Sequence, residues 1–263
     1  MSVTTGDLKH YESANMPSDD ISIAGGAKTT TEINASLLGG VLHYMRANPK
    51  ITDSTKYQYG KSFVGNISED SNLINAKAYL LNALDDVNSN GVISAVSSST
   101  DDDGDYKIKV VGEDADEEVI TEEIILDGTT PVNGALTFSK VFWIELRDVT
   151  SGSLVTANGN ITISVNSIAL GDVPEGDNCA IAIVSIGLVA TLDDSGTTTN
   201  GVTAPSGIVF TKPKDYTNGI SLANSGTLTF GSAQGIWWKM YVEGGLKPAP
   251  EITPNLIIEG DTA

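Results

Sequence analysis

Gly235-Ile236-Trp237-Trp238-Lys239-Met240-Tyr241-Val242 is the stretch on which the reading of the fold turns. At a period of two it sets Ile236, Trp238, Met240 and Val242 on one side, and Trp237, Lys239 and Tyr241 on the other. The first set is expected to face a core. The second is expected to face outward or toward a partner.

The same alternation recurs on both sides of this stretch. Val92–Val96 and Tyr106–Val111 read as strands flanking a turn at Ser97–Asp105, and Val119–Leu126 as the next strand. Residues 136–147 (LTFSKVFWIELR) and 161–168 (ITISVNSI) continue the series, and the apolar run Cys179–Leu192 reads as a buried strand pair. Asp127-Gly128 and Asn158-Gly159 punctuate it as turns, at the spacing of an all-β sandwich or barrel. Gly207–Thr211, Gly226–Phe230 and Leu256–Glu259 are also strand-like. Nearer the start, Tyr57, Tyr59, Lys61 and Phe63 share one face of a strand whose polarity Lys61 interrupts. Leu73–Leu84 fits a helix by propensity. It also fits a strand, with Asn75, Lys77 and Tyr79 opposite Ile74, Ala76, Ala78 and Leu80, and the strand is favoured. Residues 1–36 read as an extended arm with short strands around Gly25-Gly26. A short helix is predicted over 37–48 (LLGGVLHYMRAN), stopped by Pro49.

Composition agrees with a turn-rich β protein. The chain has 263 residues, 27 of them Gly, and only 6% aromatics. Its 34 acids against 15 bases give a net charge of −19, which excludes binding to nucleic acid or to anionic membrane surfaces, since both need a cationic face. Met1–Tyr11 lacks an apolar signal-peptide core, and Cys179–Leu192 is too short to span a bilayer. The single Cys179 cannot form an internal disulfide. The expectation is a soluble protein made in a cytoplasm.

Chemistry-bearing motifs are few. The only histidines are His10 and His43, and there is no nucleophile elbow, phosphate loop or zinc-protease helix. His43 reads as a packing or surface residue. Trp143, Trp237 and Trp238 would suit the walls of a sugar cleft, but a structural role in core or interface is the stronger reading. Asp86-Val87-Asn88-Ser89-Asn90-Gly91-Val92-Ile93-Ser94 matches the first nine positions of a calcium loop, yet position twelve falls on Ser97 where a bidentate Glu is needed. A plain turn at Asn88–Gly91 is preferred. Asp101–Asp105 reads as a solvated hairpin tip. The stretch 101–123 holds eleven acids against two lysines, nearly half of the total net charge, and is expected to project into water or face a basic partner. No catalytic, cofactor-binding or metal-binding residue is assigned, no cofactor is expected, and the chain reads as no enzyme.

Three stretches resemble virion structural proteins of tailed bacteriophages. The first is Lys56-Tyr57-Gln58-Tyr59-Gly60-Lys61-Ser62-Phe63-Val64-Gly65-Asn66 with Leu73–Leu80. The second is Gly235–Lys239 continuing to Ile258–Ala263. The third is Ile124–Val132 with Phe138–Arg147 and Asn160–Ile163. The resemblance implies a discontinuous β-sandwich or jelly-roll-like domain over 1–95 and 201–263, with few short helices. A second β domain, carrying the acidic hairpin, would be inserted at 96–200, and the Gly/Ser/Thr-rich 193–206 would return the chain. It implies a capsid decoration or cement protein that binds the major capsid protein or other virion proteins and stabilises the head. Such a protein would be located in the virion after assembly in the host cytoplasm. It would be a homo-oligomer, such as a trimer, with Trp237, Tyr241 or the N-terminal arm in subunit contacts. The alternatives are a neck, tail or fibre component contacting the host surface, a calcium-dependent β adhesin, and a glycan depolymerase using two carboxylates.

Overall fold

The computed structural model describes residues 7–15, 23–33, 57–241 and 254–263. The helix predicted over 37–48, with His43 and Pro49, lies outside the described residues, as does Val242. The described residues are almost entirely antiparallel β, and their helical content is one short 3-10 turn at Leu222–Asn224. The chain divides into two compact units, Met1–Leu80 with Val184–Ala263 and, between them in sequence, Leu81–Ile183.

The discontinuous unit contains β1 (Leu8–Asn15), β2 (Ile23–Ile33), β3 (Tyr57–Asn66) and β4 (Leu73–Leu80). The inserted unit contributes β5 (Gly91–Ser97), β6 (Asp103–Glu113), β7 (Val119–Asp127), β8 (Val132–Phe138), β9 (Lys140–Asp148), β10 (Ile161–Val165), β11 (Ile168–Val173) and β12 (Cys179–Ile181). The chain then returns through β13 (Val184–Leu192), β14 (Thr198–Asn200), β15 (Ile220–Ser221), β16 (Ala233–Tyr241) and β17 (Leu256–Thr262).

In the inserted unit two four-stranded sheets, β11-β10-β5-β8 and β12-β9-β6-β7, enclose one apolar core. Strict alternation builds it. Ile93 and Ala95 of β5 and Ile161, Ile163 and Val165 of β10 point inward, while Val92, Ser94, Thr162 and Ser164 point out. Ile108 and Val110 of β6 and Ile144 and Leu146 of β9 fill the core from the other sheet. Each such aliphatic side chain contributes about 1.5–3 kcal/mol by leaving water. The run 161–168 is not one strand. It breaks at Asn166 and Ser167, whose φ values of 51° and 67° make the two-residue turn that joins twisted strands most readily. The run 136–147 likewise divides at Ser139 into β8 and β9.

The expected domain limits at 95/96 and 200/201 both move toward the N-terminus. Gly91–Ser97 is an interior strand of the inserted unit, paired with β10 on one side and β8 on the other. Val184–Leu192 and Thr198–Asn200 instead pair with β16 and β2 of the discontinuous unit. The stretch 193–206 is therefore no return linker but part of that unit. The first and last residues of the inserted unit meet in a parallel bridge between Ala83 and Ile181, with Leu84 N donating to Ile181 O at 2.9 Å and Ile181 N to Asn82 O at 2.8 Å.

The discontinuous unit has a six-stranded sheet, β13-β16-β3-β1-β2-β14, and a three-stranded one, β15-β4-β17. Leu73–Leu84 is a strand as far as Leu80. A bulge at Asn75, where φ is 51°, shifts its pairing with β17 between Lys77↔Glu259 and Ile74↔Asp261. In the larger sheet Tyr59, Lys61 and Phe63 do share one face. Lys61 does not break it by pointing to water, because it is wholly buried.

Candidate functional site

The charged groups withdrawn from solvent are the places to look for chemistry, because desolvation makes an ion costly unless it is partnered. In the discontinuous unit that group is Lys61. The β3–β16 register sets Trp237 directly opposite it and Gly235 opposite Phe63. Nζ donates to Gly26 O at 3.0 Å, to Asp194 O at 3.1 Å and to Asp194 Oδ2 at 2.6 Å. It also lies 4.7 Å from the Phe63 ring centre and 5.9 Å from that of Trp237. Burial draws the Lys61 pKa below the ordinary lysine value, against the raising effect of Asp194. Burial works the other way on Asp194, but hydrogen bonds from Lys61 and Thr197 outweigh it and hold the carboxyl below its usual pKa. Thr197 N and Gly196 N donate to the same carboxylate at 3.1 and 3.3 Å. All three ammonium protons thus have acceptors. The site is a clasp that draws the segment after β13 onto the sheet.

Trp237 does not face outward or toward a partner. It is fully buried against Ala24, Tyr59 and Val189, with Ile208 and Phe210 packed over the group. The reason is that segment 194–211 covers the face of β16 that the alternation assigns to the outside. Gly25 is required beneath the indole. Its φ is +96°, and a Cβ there would sit 2.8 Å from the Trp237 ring. On the opposite face Trp238 Nε1 donates to Ser62 Oγ at 2.8 Å. Tyr241 is also largely buried, edge-on to Tyr57 with ring centres 5.6 Å apart. Neither Trp237 nor Tyr241 therefore offers the subunit contact expected of it. His10, in β1, pairs with Ile33 and Val64, and burial lowers its pKa.

In the inserted unit the buried carboxylates are Glu145, Asp102 and Glu113. The register places Lys107 beside Arg147 and Lys109 beside Glu145 on one face of the β12-β9-β6-β7 sheet. Glu145 Oε1 accepts from Trp143 Nε1 at 3.0 Å, and Oε2 accepts from Arg147 Nε at 2.6 Å. Arg147 Nη2 lies 2.6 Å from the same Oε2 and Lys109 Nζ lies 3.8 Å from it, while Arg147 Nη1 donates to Gly152 O at 2.6 Å. Trp143 therefore orients a carboxylate and does not wall a sugar cleft.

The tip at Asp101–Asp105 is not uniformly solvated, because Asp102 is fully buried. Its carboxylate accepts from Ser97 Oγ at 2.6 Å, Asn158 N and Nδ2 at 3.0 Å each, and Gly159 N at 3.1 Å. Asp102 thereby ties the β5–β6 loop to the turn before β10. The remainder of the acidic stretch divides. Glu113 is buried and pairs with Lys140, Lys107 meets Glu123 at 2.8 Å, and Glu122 accepts the backbone N–H groups of Ala135 and Leu136. Asp101, Asp103, Asp105, Asp116 and Glu118 remain exposed.

The calcium-like run Asp86–Ser94 unrolls into a turn followed by β5, and Asn166 Nδ2 donates to Ser89 Oγ and Asn90 O at 3.2 Å each. Among the described residues no cluster of three or more His, Cys, Asp or Glu side chains is arranged to hold a metal. No described helix is long and apolar enough to cross a membrane. Alternation in the sequence located the strands that carry Lys61 and Glu145 and the turn that carries Asp102. It carried no sign that these three would be buried: Asp194 and the Asn158-Gly159 turn lie far along the chain from Lys61 and Asp102, and a one-strand pattern does not show that Trp143 and Arg147 close over Glu145.

Comparison with protein-family models, with curated proteins and with solved structures finds no match to this chain.

Proposed function

We propose that this chain is a non-enzymatic structural protein of a bacteriophage particle, and that within that class it is a capsid decoration or cement protein binding the coat lattice. The observation that carries the reading is the use made of buried charge. Lys61 with Asp194 and Asp102 with the Asn158-Gly159 turn are each consumed in fastening one part of the chain to another, and Glu145 is taken up by Trp143 and Arg147 of its own strand. A reactive group must hold back a lone pair or proton for a substrate, and these do not. The other support is the resemblance of the Tyr57–Asn66, Ile124–Val132 and Gly235–Lys239 stretches to virion proteins. Apolar side chains left outward, such as Ile125, Leu136, Val209 and Phe230, supply contact points for neighbouring subunits.

The test is made on purified particles. The reading expects a copy number comparable to that of the coat subunit, and particles lacking the chain that still assemble but open at lower temperature. A copy number of a small fraction of the coat subunit would move the chain to the neck, tail or fibre. Absence from the particle would overturn the reading.

A further inference from the structure

The outward face of the β11-β10-β5-β8 sheet carries a depression of about 430 Å³ lined by Val92, Ser94, Asn133, Gly134, Ser164, Asn166 and Ser167. Its position follows from register. Ser164 pairs with Ser94 and Ser94 with Asn133, so the three side chains stand in one row across β10, β5 and β8. At the usual strand spacing that row is roughly 10 Å long. None of Ser94, Asn133, Ser164 and Ser167 spends its side chain on a hydrogen bond within the described protein, whereas Asn166 is fixed by its bonds to Ser89 and Asn90.

We propose that this depression binds a neutral saccharide. The inference goes beyond the particle role and stands or falls separately from it. Three features select the ligand class. First, hydroxyls and a carboxamide each donate and accept, as the vicinal hydroxyls of a sugar do. Second, no charged side chain lines the depression, so a phosphate, a sialic acid or a metal ion entering it would be left uncompensated. In a chain of net charge −19 the surrounding field opposes anions further. Third, an extended peptide cannot recruit the sheet here. β5 and β10 are already paired on both sides, and Ala135 and Leu136 N–H on β8 donate to Glu122. Val92 offers the one apolar contact, suited to the C–H face of a pyranose. The volume is at the small end for ligand sites and the depression is open, so the affinity expected is on the order of millimolar.

The experiment is an amide-resolved NMR titration of the full chain with maltose, lactose and N,N′-diacetylchitobiose, with 3′-sialyllactose as the charged arm. The proposal expects at least one neutral disaccharide to shift the amides of Ser94, Asn133, Ser164 and Ser167 saturably. It expects tenfold or greater weakening in the Asn133→Ala/Ser164→Val variant, whose unchanged remaining spectrum reports an intact fold. No saturable shift at these amides with any neutral disaccharide would overturn it. So would equal binding by the variant, or a response to sialyllactose alone.

Discussion

Asp194 and Lys61 are bound to one another, yet removing them should not have equal effects. Asp194→Ala strands an ammonium whose side chain has 0% exposure and leaves it only carbonyl acceptors. Breaking a buried pair in this way costs about 3–5 kcal/mol. Lys61→Met leaves a carboxylate whose side chain is 15% exposed and which keeps the Thr197 and Gly196 N–H donors, while the thioether fills the space between Phe63 and Trp237. The expected loss is smaller, about 1–3 kcal/mol, the value of one charge-assisted hydrogen bond. The double variant should lose less than the two single losses added together, by about 1 kcal/mol or more, because the second change removes a charge that the first left unpaired. Urea titration read by hydrogen exchange in Tyr57–Asn66 and Ala233–Tyr241 isolates the unit concerned. A thermal midpoint lowered by roughly 6–20 °C for Asp194→Ala corresponds to the larger figure. The reasoning fails if Lys61→Met proves as damaging as Asp194→Ala, or if the two losses simply add.

Three further outcomes follow from the same geometry. Tyr79 donates to Glu259 at 2.8 Å, and burial, then that carboxylate, pushes its pKa up to about 12. An unfolded tyrosine ionises near 10, so the stabilisation is whole below about pH 10 and lost as the pH rises to about 12. Exchange of β17 amides should accelerate in that window, and Tyr79→Phe should abolish the pH step. Asp102→Ala removes the acceptor of Ser97, Asn158 and Gly159, and a loss of about 2–4 kcal/mol in urea denaturation is expected for the inserted unit. Asp102→Asn should recover part of it. Glu122→Ala frees the Ala135 and Leu136 N–H groups on an edge strand, so their exchange should quicken and self-association of the protein should rise in light scattering. Unchanged exchange at those two amides would count against the role given to Glu122.

Much of the architecture was legible because strand alternation is a local property. Ile161, Ile163 and Val165 face inward as their spacing dictates, and Tyr59, Lys61 and Phe63 share one face for the same reason. Most of what lay outside the local pattern was illegible because it depends on partners distant in sequence. Lys61 looked like an interruption because its counterion stands 133 positions later. Trp237 looked exposed because alternation describes one covered face, and β16 is covered on both. The domain limits slipped because Gly91–Ser97 reads the same whether its neighbours are β8 and β10 or strands of the other unit. Asn166-Ser167 was absorbed into a strand because neither residue is Gly, although Asn in particular tolerates positive φ.

The bridge between Ala83 and Ile181 makes the segment between them, residues 84–180, behave as a cassette. Because the bridge is parallel, the chain enters and leaves it in the same direction, so an unrelated scaffold that accepts the segment must supply two chain ends of the same sense about one strand spacing apart. A tight turn of the hairpin kind joins only antiparallel neighbours, so exchange of this module is constrained by direction as well as by spacing.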